Sequence, residues 1–185
     1  MSQSLRSDAA DNRARILDAA RALFAADGLD VPMREIARRA GVGPATVYRR
    51  FPTKQVLVAE AFRPQVYACH AIIEDGLADP DPWHGLCLAV ENLFALHARS
   101  RAATAALFAA FPRAFDLAAA REQAIGLLTV LMGRAMETGR MRRDVGVNDV
   151  VLLLMANGGL HAASDRARLS ASRRFAELAI HALRV

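Results

Sequence analysis

Apolar residues recur along this chain at three- and four-residue intervals from its first quarter onward. Ile16, Ala19, Ala20, Leu23 and Phe24 form one stripe and predict a helix over residues 11–27, stopped by Gly28. The polar residues 1–9 before it read as a disordered tail. Ile36, Ala37 and Ala40 mark the buried face of a second, short helix over 33–40. Pro32 stands at its start, where a missing N–H costs nothing. Gly41-Val42 interrupts the pattern. Gly43 as N-cap and Pro44 as the leading residue then open a third helix over 45–51. Val47 and Phe51 anchor that helix, which leaves Thr46, Tyr48, Arg49 and Arg50 facing outward.

Pro52 ends the third helix and Thr53 caps a long fourth one, over 53–75, with Pro64 as an expected kink. Asp79-Pro80-Asp81-Pro82 is the clearest loop. Helices follow over 82–100, over 102–111 with a break at Pro112, and over 114–139. After a turn at MRRDVGVND come two more, over 148–165 and 170–183. No segment alternates with the two-residue period of a strand. The expected fold is all-α with about nine helices. A three-helix head over residues 10–56 precedes a helical body over 57–185.

Composition agrees with this picture. Apolar residues make up 54% of the 185 and aromatics only 6%, so alanine carries much of the apolar pattern. The net charge of +5 is unevenly spread. Residues 1–54 hold ten Lys/Arg against six Asp/Glu, whereas residues 55–185 hold fourteen against thirteen. An excess confined to one end is what a segment meeting a polyanion needs, although a solvated basic surface has the same look. Cys69 and Cys87 are too far apart for a metal knuckle or a redox CxxC, and read as buried thiols of a reducing compartment. The start MSQSLRSDAADNR carries no apolar signal region. No stretch approaches the roughly 20 apolar residues of a membrane span. A cytoplasmic protein with no membrane partner is expected.

Two short helices joined by a tight glycine turn and braced by a third make a helix-turn-helix. Ala37, Ala40 and Gly41 let the pair cross closely, so that the second helix projects polar side chains toward a major groove. Within residues 34–54, Arg34, Arg38, Arg39, Arg49, Arg50 and Lys54 face a single acid, Glu35. That density suits phosphate neutralisation. Gly41-Val42-Gly43 begins like a dinucleotide fingerprint, but no strand precedes it and the third glycine is missing. HExxH, GxSxG and GxxxxGK are absent, and no cofactor or metal set is visible, so an enzyme is not expected.

The run PMREIARRAGVGPATVYRRFPTKQVLVAEAF resembles the DNA-binding signature of the TetR family of regulators. The match lies in Ile36-Ala37, Ala40-Gly41-Val42, Thr46-Val47-Tyr48, Phe51, Lys54 and Leu57, together with the stripe from Ile16 to Gly28. It covers about residues 12–62. The resemblance implies that Thr46, Tyr48, Arg49 and Arg50 contact the groove or backbone, with Pro44 and Ala45 at the leading end against a thymine methyl. It implies Arg34 on a guanine and Lys54 on a phosphate. Gly43 and Pro32-Met33 depart from the Ser and Thr common among relatives, which bears on sequence preference rather than on DNA binding.

The resemblance further implies a homodimer on a palindromic double-stranded operator, and a body that binds a small-molecule effector. Val150, Val151, Leu153, Leu154, Leu178, Ala179, Ala182 and Leu183 are the expected dimer face, with Gly158-Gly159 inside a helix permitting a close crossing. Candidate effector contacts are Phe62, Tyr67, His70, Trp83, Phe94, His97, Phe108, Phe111 and Met132, with Phe115 and Met136 beside them. Each of these also suits plain core packing. The expected function is a repressor released from its operator by a largely apolar ligand. A ligand-dependent activator and a non-specific architectural DNA binder remain as alternatives.

Overall fold

The N-terminal stripes become α1 (Ser2–Asp27), α2 (Met33–Ala40) and α3 (Pro44–Arg50) in the computed structural model, which describes residues 2–99 and 115–185. Then come α4 (Lys54–Ala78), α5 (Pro82–Arg99), α6 (Phe115–Glu137), α7 (Val147–Gly158) and α8 (Asp165–Leu183). Among the described residues every regular element is a helix, apart from an isolated antiparallel bridge between Met141 and Arg184. The helix expected over 102–111 lies outside the described residues.

The start of α1 and the junction of α7 and α8 differ from the sequence reading. The segment expected as a disordered tail is the first part of α1. Residues 2–10 contain no Gly or Pro, and their polarity does not argue against a helical backbone. Pro64 lies inside α4, as the sequence reading placed it, and the helix runs from Lys54 to Ala78. The proline removes an N–H from that turn, and Arg21 of α1 donates to the Ala61 carbonyl there at 3.2 Å. Finally, α7 stops at Gly158, with Gly159 as its C-cap. The glycine pair therefore terminates a helix instead of lying within one. Ser164 then caps α8, accepting the Ala167 N–H at 3.2 Å.

Two groups of buried side chains hold the molecule together. The first joins Ile16, Leu23 and Phe24 of α1 to Ile36 and Ala37 of α2, Val47 of α3 and Leu57 to Val66 of α4. Phe24 and Phe62 meet there with ring centroids 6.0 Å apart. The second gathers Cys69 and Ile73 of α4 around α5, with Leu128, Leu131 and Met132 of α6, Val150 and Leu154 of α7, and Ala176 and Ala179 of α8. Helix α5 is the axis of this body and packs against α4, α6, α7 and α8. The two cores meet along α4, between Val66 and Cys69.

Close backbone approach fixes the α4–α5 corner. A Cβ on Gly85 would lie 2.2 Å from the Gly76 carbonyl oxygen, and one on Gly76 would lie 2.8 Å from that of Gly85. Two glycines facing each other let the helices touch backbone to backbone. Farther along, Asn157 and Ser172 both donate to the Phe94 carbonyl, at 2.9 and 3.1 Å, tying α7 and α8 to α5. Arg168 of α8 donates to the Ala98 carbonyl at 2.7 Å.

Candidate nucleic-acid interface and effector cavity

Helix α3 is short, and its placement depends on the turn before it. Gly41 sits at φ +66°, a left-handed conformation open to glycine at little cost, and its N–H bonds the Arg38 carbonyl at 3.2 Å. Arg15 of α1 reaches across to the Ala40 carbonyl at 2.7 Å and braces the end of α2. Gly43 then caps α3 with Pro44 in its first turn. Val47 and Phe51 are fully buried against α1 and α2, so the opposite side of α3 is turned to solvent. Pro44, Ala45, Tyr48, Arg49 and Arg50 are all exposed, and Thr46 is half-buried. Tyr48 keeps 51% of its surface open, too much for a packing tyrosine.

Arg34 is exposed in the first turn of α2. Lys54 opens α4, where the positive end of the helix dipole reinforces its charge toward an anion. Thr53 caps this helix, its hydroxyl accepting the Val56 N–H at 3.2 Å.

The basic residues of the head divide into two sets, which charge counting could not separate. Arg13 pairs with Glu60 at 2.6 Å while lying over the Phe51 ring. Arg15 and Arg21 bond backbone carbonyls across helices, and Arg38 pairs with Glu35, holding that carboxyl below its usual range. Arg34, Arg39, Arg50 and Lys54 make no side-chain hydrogen bond or ion pair among the described residues, and Arg49 touches only the Thr46 hydroxyl, at 3.3 Å. Arg39 thus joins the uncommitted cations.

A cavity opens in the body between α4, α5, α6 and α7. Val66, Cys69, His70 and Ile73 line it from α4, Leu93 and His97 from α5, and Val151 and Leu154 from α7. Helix α6 contributes Ala120, Arg121, Ala124, Ile125 and Leu128. His70 Nε2–H donates to the Ala120 carbonyl at 2.8 Å, which fixes its tautomer. His97 is buried, and desolvation pushes its pKa down to about 4, so the ring is neutral at pH 7. Cys69 Sγ lies 4.0 Å from His97 Nε2, and burial pushes the thiol up to about 11.

Of the candidate effector contacts, His70 and His97 line the cavity. Phe62 belongs to the head core, while Trp83, Phe94 and Met132 belong to the body core, Phe94 packing against Phe175 at 5.6 Å. Tyr67 is 65% exposed on the outside of α4. Phe108 and Phe111 lie outside the described residues. Sequence reasoning passed over Val66, Ile73, Ile125 and Leu128, whose helical spacing was the available signal.

The profile of bacterial regulatory proteins of the tetR family matches residues 16–61, from the stripe of α1 into α4. The transcriptional repressor KstR of Mycolicibacterium smegmatis is 33% identical over 137 residues, spanning 72% of this chain and 67% of the relative. A TetR regulatory protein of Mycobacterium vanbaalenii is 36% identical over 98% of this chain and 99% of its own, with a TM-score of 0.53. The chain belongs to the TetR family. The ketosteroid regulator KstR2 of Mycobacterium tuberculosis shares the fold, at a TM-score of 0.74 and 19% identity over 94% of this chain and 95% of its own. As a TetR-family member this chain is a DNA-binding transcriptional regulator, with α2 and α3 as its helix-turn-helix.

On the TetR-family body α7 and α8 carry exposed apolar residues, only partly at the positions expected. Val150, Leu154, Ala179 and Leu183 are buried in the monomer's own core, and Val151 and Leu153 are partly so. The open apolar surface belongs to Leu152 and Met155 of α7 and to Leu178 and Ala182 of α8. Among the described residues no helix is long and apolar enough to cross a membrane, and no cluster of His, Cys, Asp and Glu could hold a metal ion.

Proposed function

We propose that this chain is a homodimeric, cytoplasmic repressor that grips a palindromic operator through two copies of α3 and lets go when a small, largely apolar ligand enters the body. The observation that carries the reading is the pairing of two features in one chain. A solvent-facing recognition helix with uncommitted cations around it is joined by a single helix to an apolar cavity. Thr46, Tyr48, Arg49 and Arg50 are assigned to the groove and backbone, Pro44 and Ala45 to a thymine methyl, Arg34 to a base edge and Lys54 to a phosphate. The head is taken as residues 10–56 and the sensing, dimerising body as 57–185, with the first turns of α4 packed on the head.

Repression is supported by the M. smegmatis relative, itself a transcriptional repressor. An apolar ligand is supported by the alkyl walls of the cavity, and by the fold relative KstR2, a ketosteroid regulator. Dimerisation is supported by Leu152, Met155 and Leu178, which a lone monomer would leave in water.

The test is fluorescence-anisotropy titration of the purified protein with DNA from upstream of its own gene, beside a scrambled duplex, near physiological salt. A preference of about a thousandfold for the native duplex is expected of a specific regulator. Equal, weak and steeply salt-dependent binding to both would overturn the assignment in favour of an architectural binder.

A further inference from the structure

The effector cavity has a polarity gradient that defines the class of molecule it takes. This inference rests on the proposal that the cavity is the effector site. Along α6 its wall passes from Arg121, exposed at the mouth, through half-buried Ala124 and Ile125 to buried Leu128. The helix rises about 10 Å from Arg121 to Leu128. Ile73 and Leu93, both buried, close the deep end with His97. The deep end offers hydrocarbon surface and one neutral imidazole, and burial keeps that ring from accepting a proton. A ligand charge at this depth would meet no partner of opposite sign among the described lining residues and would bear the desolvation penalty.

The mouth is different. Arg121 makes no hydrogen bond or ion pair among the described residues, and among the described lining residues it is the only Lys or Arg. The other polar group toward the mouth, His70, has its Nε2–H committed to the Ala120 carbonyl. A permanently charged planar cation beside an apolar slot suits an anion held at one end by paired N–H donors. We propose that the effector is a hydrocarbon-bodied anion, its tail between Ile73, Leu93 and Leu128 and its carboxylate or phosphate head at Arg121. Arg121 then decides specificity by selecting acids over uncharged molecules of the same shape.

Calorimetric titration of the intact protein with decanoate, 1-decanol and decyl phosphate tests this, on the wild type and on Arg121→Gln. Ala124→Trp, which fills the slot, serves as the blocked control. The expected result is tighter binding of the two anions than of decanol. Arg121→Gln should weaken the anions about tenfold and leave decanol unchanged, the size of one solvent-accessible charged hydrogen-bond pair. Whichever anion binds more tightly assigns the head as carboxylate or phosphate. Should decanol bind as well as decanoate, or Arg121→Gln weaken all three alike, with Ala124→Trp still blocking, the anion proposal is overturned while the cavity remains the site. Should none of the three bind, or all bind the blocked variant equally, the cavity itself is not the site and both proposals fall.

Discussion

Replacing glycine by alanine should have opposite effects at two places in the body, and the structure sets both signs. At Gly85 the new Cβ would lie 2.2 Å from the Gly76 carbonyl oxygen and 2.9 Å from Asp79 Cβ. Neither neighbour is the flexible end of a long side chain. The last turn of α4 is also held from behind, because Arg134 of α6 donates to the Leu77 carbonyl at 2.6 Å. The helices must separate, and overpacking of this kind costs about 1–3 kcal/mol, while alanine returns up to about 1 kcal/mol of helix propensity. With backbone on both sides of the clash the upper end applies, leaving Gly85→Ala about 2 kcal/mol less stable. On α6, a Cβ at Gly126 or Gly133 meets nothing within 4 Å. There only the propensity gain remains, so each change should stabilise by about 0.5–1 kcal/mol. Thermal melts at one fixed protein concentration check this, since a protein of this size shifts by about 2–4 °C per kcal/mol. A Gly85→Ala protein melting with the wild type would refute the backbone contact between α4 and α5. Loss of stability in Gly126→Ala would refute the open environment assigned to that face of α6.

The remaining expectations concern charge and titration. Arg50→Gln and Lys54→Gln should weaken binding to native and scrambled DNA alike and lower the magnitude of the salt slope by about 0.9 for each phosphate no longer neutralised; an unchanged slope would remove that residue from the phosphate set. Arg34→Gln should instead reduce discrimination between the two duplexes, by about 1–3 kcal/mol at one base pair, and equal losses on both would contradict base reading. His97 takes its proton near 6.5 when unfolded and only near 4 in the folded chain, so between those values the unfolded state binds the extra proton and stability falls as pH drops. About 3 kcal/mol should be lost through this group between pH 7 and pH 4. Urea titrations of His97→Gln should show that slope flattened, and an identical slope would refute a buried neutral ring. Burial moves both cysteine thiols from 9.0 to about 11, so alkylation of the native protein at pH 8 should run roughly a hundredfold slower than in urea. Native-state labelling as fast as in urea would contradict their burial.

The head could be read from sequence because its signals are local. Gly28, Pro32, Gly41, Pro44 and Pro52 punctuate the end of α1 and both ends of the short α2 and α3, each within a few residues of the apolar stripe it bounds. The body offered no such punctuation for its packing. Helix α7 carries two apolar stripes, one through Val150 and Leu154 and one through Leu152 and Met155, and periodicity does not say which faces inward. The partner helices decide it, and the first stripe is the buried one. The same limit governed the cavity. Phe62, Phe94 and Met132 attracted notice by their size, yet large side chains are what fills a core. The space was left where Val66, Ala124 and Val151 are too small to close it. The histidines stood out because polar rings on apolar faces are rare, and both do line the cavity.

The meeting of the two cores determines how the cavity can be felt at the DNA. Val66 of α4 lies in the head core and Cys69, one turn on, in the body core, so no flexible connection separates them. Ala120 at the start of α6 packs against the head core, lines the cavity, and accepts the His70 hydrogen bond through its carbonyl. A molecule wedged between α4 and α6 therefore presses on a contact shared by both cores. Fifteen helical steps, about 22 Å, carry the α4 backbone from Cys69 back to Lys54. Arg13 and Arg21 of α1 grip that stretch at Glu60 and Ala61, so a tilt of α4 takes the head with it. Coupling then requires only that the ligand bind one tilt better than the other, since an equal affinity for both would move nothing however tightly the ligand bound.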